Sequence, residues 1–521
     1  MRFVVVHSHY RPGGVRRVIE LALPPLLRAL RPRVTGVVLA GGEAPDAGWL
    51  AALAERLRGV PVTCAIERAA GYVSETSATP PVAAALIRSF LAGVFDGATP
   101  RNCLVWAHNL GLGRNLPLAR ELTRLCQRRG LPLVLHHHDW WFDNRWQRWP
   151  EMQWTGFRSL AAVAAAILPP APTVRHALIN RTDWRMLSPR FGPQAGWLPN
   201  LAEPSAPPAS AAVRRARRWL RDQLGTRAPV WLAPCRLLRR KNLAEALLLT
   251  RWLRPEAWLV TTGGVSSADE TAYAATLRAA ARRHGWQLRL GVLAGDESAM
   301  PPVPALFAAS EALLLTSLQE GFGLPNLEAA AAGRPLLVRS LPNVAPDLAR
   351  FGFRFPQTYD ELLIAPPLFD RSTEVNRQER LWRAWRRQLP RSCRSLAGIP
   401  LLLAANSPAA PVPFSRLTLA AQLEVLAHPA ADSWAACAPL NPFLARWRER
   451  AARGELAVSR WPRGAARQLG GPAYARRFVS LLHAAPASRL PATVADRAAR
   501  EFIRARLGRD NLYPLLWQTS L

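Results

Sequence analysis

Glu320-Gly321-Phe322-Gly323-Leu324-Pro325-Asn326-Leu327-Glu328 follows an apolar run at 312–316 and precedes another at 336–338. The order reads as strand, glycine loop, helix, strand. Gly321 and Gly323 carry no Cβ, so a ligand can approach the backbone closely. Pro325 suits the first turn of a helix. The N-terminus of that helix offers unpaired N–H groups and the positive end of a dipole to a phosphate. Glu320 falls in the loop, and Glu328 falls inside the helix. Two carboxylates so placed can accept hydrogen bonds from several sugar hydroxyls. The plainer alternative is an ordinary strand–turn–helix with a solvated glutamate.

The same alternation extends outward in both directions. In the first half, strand-like runs at 3–7, 34–39, 62–66, 103–107, 133–137 and 164–168 are interleaved with helical stretches such as 15–30, 82–95 and 114–129. Residues 199–210 are rich in Pro, Ala and Ser and read as a linker. Beyond them, strands are expected at 230–234, 258–262, 288–291, 312–316 and 336–338, and helices at 242–252, 268–284 and 325–332. Such alternation gives a parallel sheet covered by helices on both faces. The expected fold class is α/β, with two Rossmann-like, doubly wound domains at 1–200 and 201–370. Their facing strand ends would form a ligand cleft. From 371 to 521 the pattern is helical and irregular, rich in Trp and Arg as in Leu381-Trp382-Arg383-Ala384-Trp385-Arg386-Arg387. It reads as a helical extension packing on both domains.

Three further elements carry polar chemistry. Arg236 and Lys241 stand five apart in Pro234-Cys235-Arg236-Leu237-Leu238-Arg239-Arg240-Lys241-Asn242, between a strand and a helix. Two cations there can neutralise a diphosphate, and Arg can grip it in a forked geometry. Arg239 and Arg240 read as ordinary loop charges in an Arg-rich chain. Lys241 stands out because it is the only lysine, beside 67 arginines. Gly13-Gly14 lies between the first strand and the first helix, where a phosphate or sugar can come close; a plain turn explains the pair equally well. In Leu135-His136-His137-His138-Asp139-Trp140-Trp141, strand alternation puts His136 and His138 on one face and His137 on the other. Six of the ten histidines fall at expected strand ends of the first half: His7, His9, His108, His136, His137 and His138. With Asn109 they suggest a polar pocket. Trp140 and Trp141 suit a sugar face and a packed core equally.

These elements resemble the E-x7-E and R-x4-K motifs of glycosyltransferase family 4 (glycosyl transferases group 1), the retaining family with the GT-B fold. The resemblance covers residues 1–365 and is strongest over 230–345. It implies that Glu320 touches the donor sugar near the reacting centre and that Glu328 binds the ribose hydroxyls. Arg236 and Lys241 would hold the donor diphosphate. Gly13 and Gly14 would match an N-terminal glycine loop, and His138 with Asp139 a His-Asp pair whose histidine lies near the sugar's outer hydroxyls. Catalytic roles are thus implied for Glu320, Arg236, Lys241 and His138. Donor contacts are implied for Gly13, Gly14, Gly321, Phe322, Gly323, Leu324 and Glu328. An acceptor pocket is expected at His9, His108, Asn109, Asp139 and Trp140. The implied reaction moves a sugar from a nucleoside diphosphate sugar to a hydroxyl of a small-molecule, glycan or lipid-linked acceptor. It retains anomeric configuration by front-face attack and needs neither cofactor nor metal. The chain departs from the family after the crossover, where only Leu198-Pro199-Asn200-Leu201-Ala202 stands, and at the short glycine loop Thr262-Gly263-Gly264.

Composition bounds the alternatives. The 521 residues are 49% hydrophobic, enough for large cores rather than disorder. A net charge of +32 invites a nucleic-acid reading. The arginines are scattered over expected helices rather than gathered in a stripe, so no specific nucleic-acid partner is expected. The basic surface leaves peripheral contact with an anionic membrane face open. Six cysteines show no zinc or redox spacing and read as free thiols in a reducing compartment. Residues 2–7 are too short for a signal peptide, and the apolar stretches 160–168 and 400–405 are too short to span a bilayer. A cytoplasmic protein, soluble or peripheral at the inner membrane face, is expected. Two other readings stay open. One is a hydrolase holding a metal at His7, His9, His136, His138 and Asp139. The other is a GT-B protein that binds sugar or lipid without catalysis.

Overall fold

Two separate runs of short, apolar, β-branched segments become two parallel sheets in a computed structural model. It describes all residues except 205, 266, 295–299, 405, 406, 408, 486–489 and 518–521. Ser205 of the expected linker and Ala405 of the apolar stretch therefore lie outside the described residues. The chain divides into two units. Unit 1 is Met1–Glu203, Gln388–Leu396 and Gly464–Leu507; unit 2 is Pro204–Arg387, Ala397–Arg463 and Gly508–Leu521.

Unit 1 contains seven strands: β1 (Arg2–Val6), β2 (Gly36–Gly41), β3 (Val62–Ile66), β4 (Cys103–His108), β5 (Leu133–His137), β6 (Val174–Leu178) and β7 (Ala195–Trp197). They pair in the order β3-β2-β1-β4-β5-β6-β7, all parallel. β4, β5 and β6 are buried along their whole length, as strands covered on both faces must be. The strand order reverses between β1 and β4, so the carboxyl ends of these two strands mark the ligand-binding switch point of the sheet. The covering helices include α1 (Gly14–Ala29), α2 (Ala47–Arg56), α3 (Pro80–Val94), α4 (Leu116–Arg129), α5 (Trp149–Trp154), α6 (Leu160–Ile167) and α7 (Arg181–Phe191). The helix Gly471–Leu482 packs on α1, and Val494–Arg506 packs on α6 and α7. Arg506 ties the latter down through Asp143 (2.7 Å) and Asp183 (2.9 Å).

The expected strand at 164–168 is a helix instead. Its sequence, Leu-Ala-Ala-Val-Ala-Ala-Ala-Ile, is dominated by the best helix former. The Ser159 side chain caps it by accepting from the Ala162 N–H. A short apolar run cannot distinguish buried helix from buried strand by periodicity. The strand that does follow β5 is β6, whose Arg175 and His176 interrupt the apolar signal. Arg175 is accommodated by donating to the carbonyls of Pro172, Val174 and Ala484.

Unit 2 contains β8 (Val230–Ala233), β9 (Trp258–Thr261), β10 (Leu288–Arg289), β11 (Ala312–Leu315), β12 (Leu336–Arg339) and β13 (Gln357–Tyr359). They form a second parallel sheet in the order β10-β9-β8-β11-β12-β13. Its switch point lies between β8 and β11. The loops that leave these two strands carry Arg236, Lys241 and Glu320. The main helices are α8 (Ser210–Leu224), α9 (Leu243–Leu253), α10 (Thr271–Arg283), α11 (Val303–Ala309), α12 (Leu324–Ala331) and α13 (Ala345–Arg350). α9 is buried on nearly every side, which requires cover beyond the sheet. The helices Leu419–Ala427, Ala430–Cys437 and Phe443–Ala452 supply it. The Trp252 indole N–H on α9 donates to Ser433 at 3.0 Å. Each unit is thus a Rossmann-like parallel sheet flanked by helices. Among the described residues, no helix is long and apolar enough to cross a membrane.

One buried ionic network fixes α9 against the sheet. Glu245, in its first turn, is fully enclosed and accepts from both Arg339 of β12 (2.5 Å) and Tyr359 of β13 (2.5 Å). Asn242 adds a third hydrogen bond to Glu245 at 2.7 Å. Arg339 also reaches Glu361 at 2.6 Å. Removing one partner leaves the other charge buried and uncompensated. Glu245→Ala should therefore destabilise unit 2 by about 3–5 kcal/mol, read as a lowered urea midpoint.

Candidate active site

The sequence 234–242 leaves β8 as a loop and closes on one turn of 3-10 helix, Arg239–Lys241. Arg239 goes to Glu270, whose carboxylate accepts from its backbone N–H (2.9 Å) and its guanidinium (3.1 Å). Arg240 and Lys241 go to Glu320. Arg240 Nη1 donates to Glu320 Oε2 at 2.9 Å, and Lys241 Nζ donates to Oε1. Asn242 then takes a left-handed conformation (φ 48°). Thr316, just past β11, donates to the carbonyls of Lys241 (2.9 Å) and Asn242 (3.1 Å). This pins the turn to the neighbouring strand end.

Arg236 is exposed on the same loop. Its backbone lies against Gly263 of the β9 loop, where a Cβ would come within 3.1 Å of the Arg236 Cα. The loops are joined by Gly263 N–H to Cys235 O (2.9 Å) and Leu237 N–H to Gly264 O (3.1 Å). The Thr-Gly-Gly sequence, short as a glycine loop, is thus long enough to let Arg236 sit where it does.

Glu320 is the centre of the β11 loop. Besides the two cations it accepts from Ser317 Oγ at 2.6 Å, and its carbonyl accepts from Asn343 at 2.7 Å. Burial opposes ionisation of its carboxyl, but Lys241 and Arg240 outweigh it and hold the pKa down to about 2. Gly323 (φ 77°) caps α12 in the left-handed region, and a Cβ there would strike Asn326 and Val344. Phe322 is buried and packs inward, while Gly321 and Leu324 are partly exposed. Glu328 is exposed one turn into α12. The structure therefore gathers Arg236, Lys241, Glu320 and the start of α12 at one switch point. Sequence reading set Arg240 aside as a loop charge and did not single out Asn343. The run of three cations in a 3-10 turn was the only signal available for Arg240.

In unit 1 the histidines occupy the strand ends as expected. β4 and β5 pair His108 with His136. His108 Nδ1 and His138 Nε2 share a hydrogen bond of 3.0 Å. The His136 and His138 rings lie 4.3 Å apart. Ligand atoms of His108, His136 and His138 all fall within 4.8 Å of one another. His7 donates instead to the His108 carbonyl (3.3 Å), and His9 meets the Tyr72 hydroxyl (3.0 Å). The expected metal set of His7 and His9 with His136 and His138 is therefore not the one that converges; His108 takes their place. Burial, reinforced by neighbouring imidazoles, lowers His7 to about 3 and pushes His108 and His136 well below 6.5. Burial lowers His138 to about 4 against the opposing pull of Asp139. The cluster is neutral near pH 7.

His137 faces the other way, bonded to His176 at 3.1 Å. Trp140 stacks on it at 4.4 Å and donates to Asp183 at 2.9 Å. Trp140 and Trp141 are buried, so they pack rather than line a pocket. Asn109, left-handed at φ 60°, accepts from the Asp139 N–H (2.9 Å) and fixes the turn after His138. Asp139 also faces Arg145 at 3.6 Å. Gly13 and Gly14 are exposed at the start of α1. A Cβ on either would meet nothing closer than 4.0 Å, so packing within the protein does not require glycine there.

Residues 221–357 match the family model described as glycosyl transferases group 1. That segment is similar to group 1 glycosyltransferases. It spans most of the second sheet, including both cation-bearing and carboxylate-bearing loops. The mannosylglucosyl-3-phosphoglycerate synthase of Petrotoga mobilis is 23% identical over 247 residues, covering 46% of each chain. The present chain thus spans about half the length of that curated relative. Two solved structures resemble it in fold. Anabaena HepE in complex with UDP-glucose has 17% identity, a TM-score of 0.44 and coverage of 67% of this chain and 88% of that one. A UDP-forming trehalose-phosphate synthase from Burkholderia vietnamiensis has 15% identity, a TM-score of 0.46 and coverage of 92% and 99%.

The ion cluster around Glu320 has a pH signature. Glu320 is depressed from 4.5 to about 2. Its stabilisation is complete above pH 4.5 and is lost as pH falls toward 2, because the unfolded chain takes up the proton first. The stability advantage of wild type over Glu320→Gln should shrink by about 1.4 kcal/mol per pH unit across that window, measured by urea unfolding.

Proposed function

We propose that the chain is a retaining glycosyltransferase that moves a sugar from a nucleoside diphosphate sugar to an acceptor hydroxyl. The observation that carries this reading is the meeting of Lys241, Arg240 and Glu320 beside the start of α12, with Arg236 exposed on the same loop. Unit 2 holds the donor. Lys241 has three donor hydrogens and spends one on Glu320, leaving two for the diphosphate. Arg236 adds a forked contact. The N–H groups of Gly321 to Leu324 approach the donor, and Glu328 accepts from the ribose hydroxyls. Glu320, held ionised and immobile by its partners, presents its backbone and carboxylate to the donor sugar near the reacting carbon. The Petrotoga relative, named for a glycosylated product, supports a sugar-transfer chemistry.

Retention follows if the acceptor attacks from the face that the diphosphate leaves, with the departing phosphate oxygen taking the acceptor's proton. No protein nucleophile is then needed. Arg236 and Lys241 stabilise the charge developing on the leaving group, the work a divalent ion performs in other transferases. Unit 1 holds the acceptor, with His9, Asn109 and Asp139 as polar contacts. The acceptor is a small molecule, a glycan or a lipid-linked sugar.

A thermal-shift series with UDP, GDP, ADP and their sugars tests the reading directly. One nucleotide should raise the melting temperature, and silence from all of them would overturn it. Lys241→Ala should lower kcat by about 10²–10³-fold, as loss of one preorganised donor does. Wild-type turnover in that variant would remove the diphosphate assignment. Glu328→Ala should weaken nucleotide binding by calorimetry. Turnover should survive EDTA; abolition that manganese restores would place a metal on the diphosphate instead.

A further inference from the structure

We propose that His108, His136 and His138 bind a single zinc-class divalent ion in unit 1. The site is built by the backbone. His108 ends β4, and its register partner on β5 is His136. His138 lies two residues further along, so alternation brings its ring to the His136 face. Two imidazoles on adjacent parallel strands and a third just past the end of β5 therefore converge.

The spacing is close to that of a tetrahedral site. Zinc–nitrogen bonds of about 2.0–2.1 Å separate tetrahedral ligand atoms by about 3.4 Å. Here His108 Nδ1 and His138 Nε2 stand at 3.0 Å, and one ring nitrogen from each of the three histidines falls within 4.8 Å of the others.

The hydrogen bonding points the same way. Buried polar atoms in folded proteins nearly always have partners. Among the described residues, His108 Nε2 has none, and neither ring nitrogen of His136 makes a hydrogen bond of normal geometry. The His136 ring faces the Leu198 backbone, the kind of outer partner that orients a ligating imidazole. The Trp106 ring, 4.1 Å from His108 and stacked at 5.9 Å on His136, forms an apolar wall. His138 is the least enclosed of the three, at 8% exposure. A fourth ligand, water or another oxygen, would reach such an ion on the His138 side, as in a three-histidine zinc site that keeps one coordination position for a non-protein ligand.

Metal binding here is independent of the donor-site reading, which rests on unit 2. Full-length protein is stripped with chelator and titrated with zinc and with cobalt. One equivalent of zinc should bind and raise the melting temperature. Cobalt should give the intense visible bands of a tetrahedral centre. X-ray absorption of the zinc form should show three imidazoles. His136→Gln should weaken zinc binding by at least roughly 100-fold, the upper range for loss of even an outer-shell partner. No zinc uptake, undiminished uptake in His136→Gln, or fewer than three imidazoles around the ion would each overturn the proposal. The absorption measurement uses wild-type protein, so it decides the matter even if the variant does not fold. A nucleotide response without zinc uptake sinks this inference alone, and zinc uptake without a nucleotide response sinks the donor reading alone.

Discussion

A carboxylate caught between two cations organises the second unit. Glu320 holds Lys241, Arg240 and Ser317 at once, so the loop after β11 cannot move without the loop after β8. An exposed ion pair would contribute little. This one is partly buried, and each end is anchored further. Thr316 grips the backbone of Lys241 and Asn242, and Asn242 is bonded to the enclosed Glu245. Glu245 in turn holds Arg339 and Tyr359 on the next strands. A continuous polar chain thus runs from the sheet interior to the surface of the site. Its rigidity gives these loops a defined geometry of their own.

Both sheets place their chemistry by the same topological rule. Where strand order reverses, the loops on either side diverge and leave a crevice. In unit 1 the reversal falls at β1 and β4, beside His7 and His108. In unit 2 it falls at β8 and β11, beside Arg236 and Glu320. The residues brought together are far apart in sequence, yet the sheet makes them neighbours. The helices from the C-terminal region complete each unit rather than its site. They cover α9 in one unit and α1, α6 and α7 in the other.

How much of this was legible depends on which physical signal each part uses. The strands β3 and β5 and the cation and carboxylate loops follow from apolar runs and motif spacing, which are local. The split of His136 and His138 from His137 follows from strand alternation, also local. The helix α6 was misread because eight apolar residues carry no period that favours either state. β6 was missed because Arg175 and His176 look polar, although one reaches carbonyls and the other reaches His137. The partnership of Arg240 with Glu320 and the convergence of His108 on His136 depend on strand register. No local pattern contains that information. The motif residue Phe322 matched the family by identity, yet its side chain packs inward, so only its backbone is available to a ligand.

The single lysine can be explained in the same terms. Arginine serves elsewhere in this chain, even in buried places, because its planar fork can reach several carbonyls, as Arg175 does, or a carboxylate pair, as Arg339 does. At position 241 the fork would be a handicap. Glu320 already occupies one side, and Arg240 already supplies a guanidinium to that carboxylate. A compact ammonium can turn its three hydrogens toward separate acceptors. It can keep Glu320 ionised and still face a second anion. A guanidinium committed to Glu320 in a forked geometry would leave its remaining donors fixed in one plane. On the proposed reading, the one lysine of this Arg-rich chain stands where a small charge would be shared between Glu320 and a donor diphosphate.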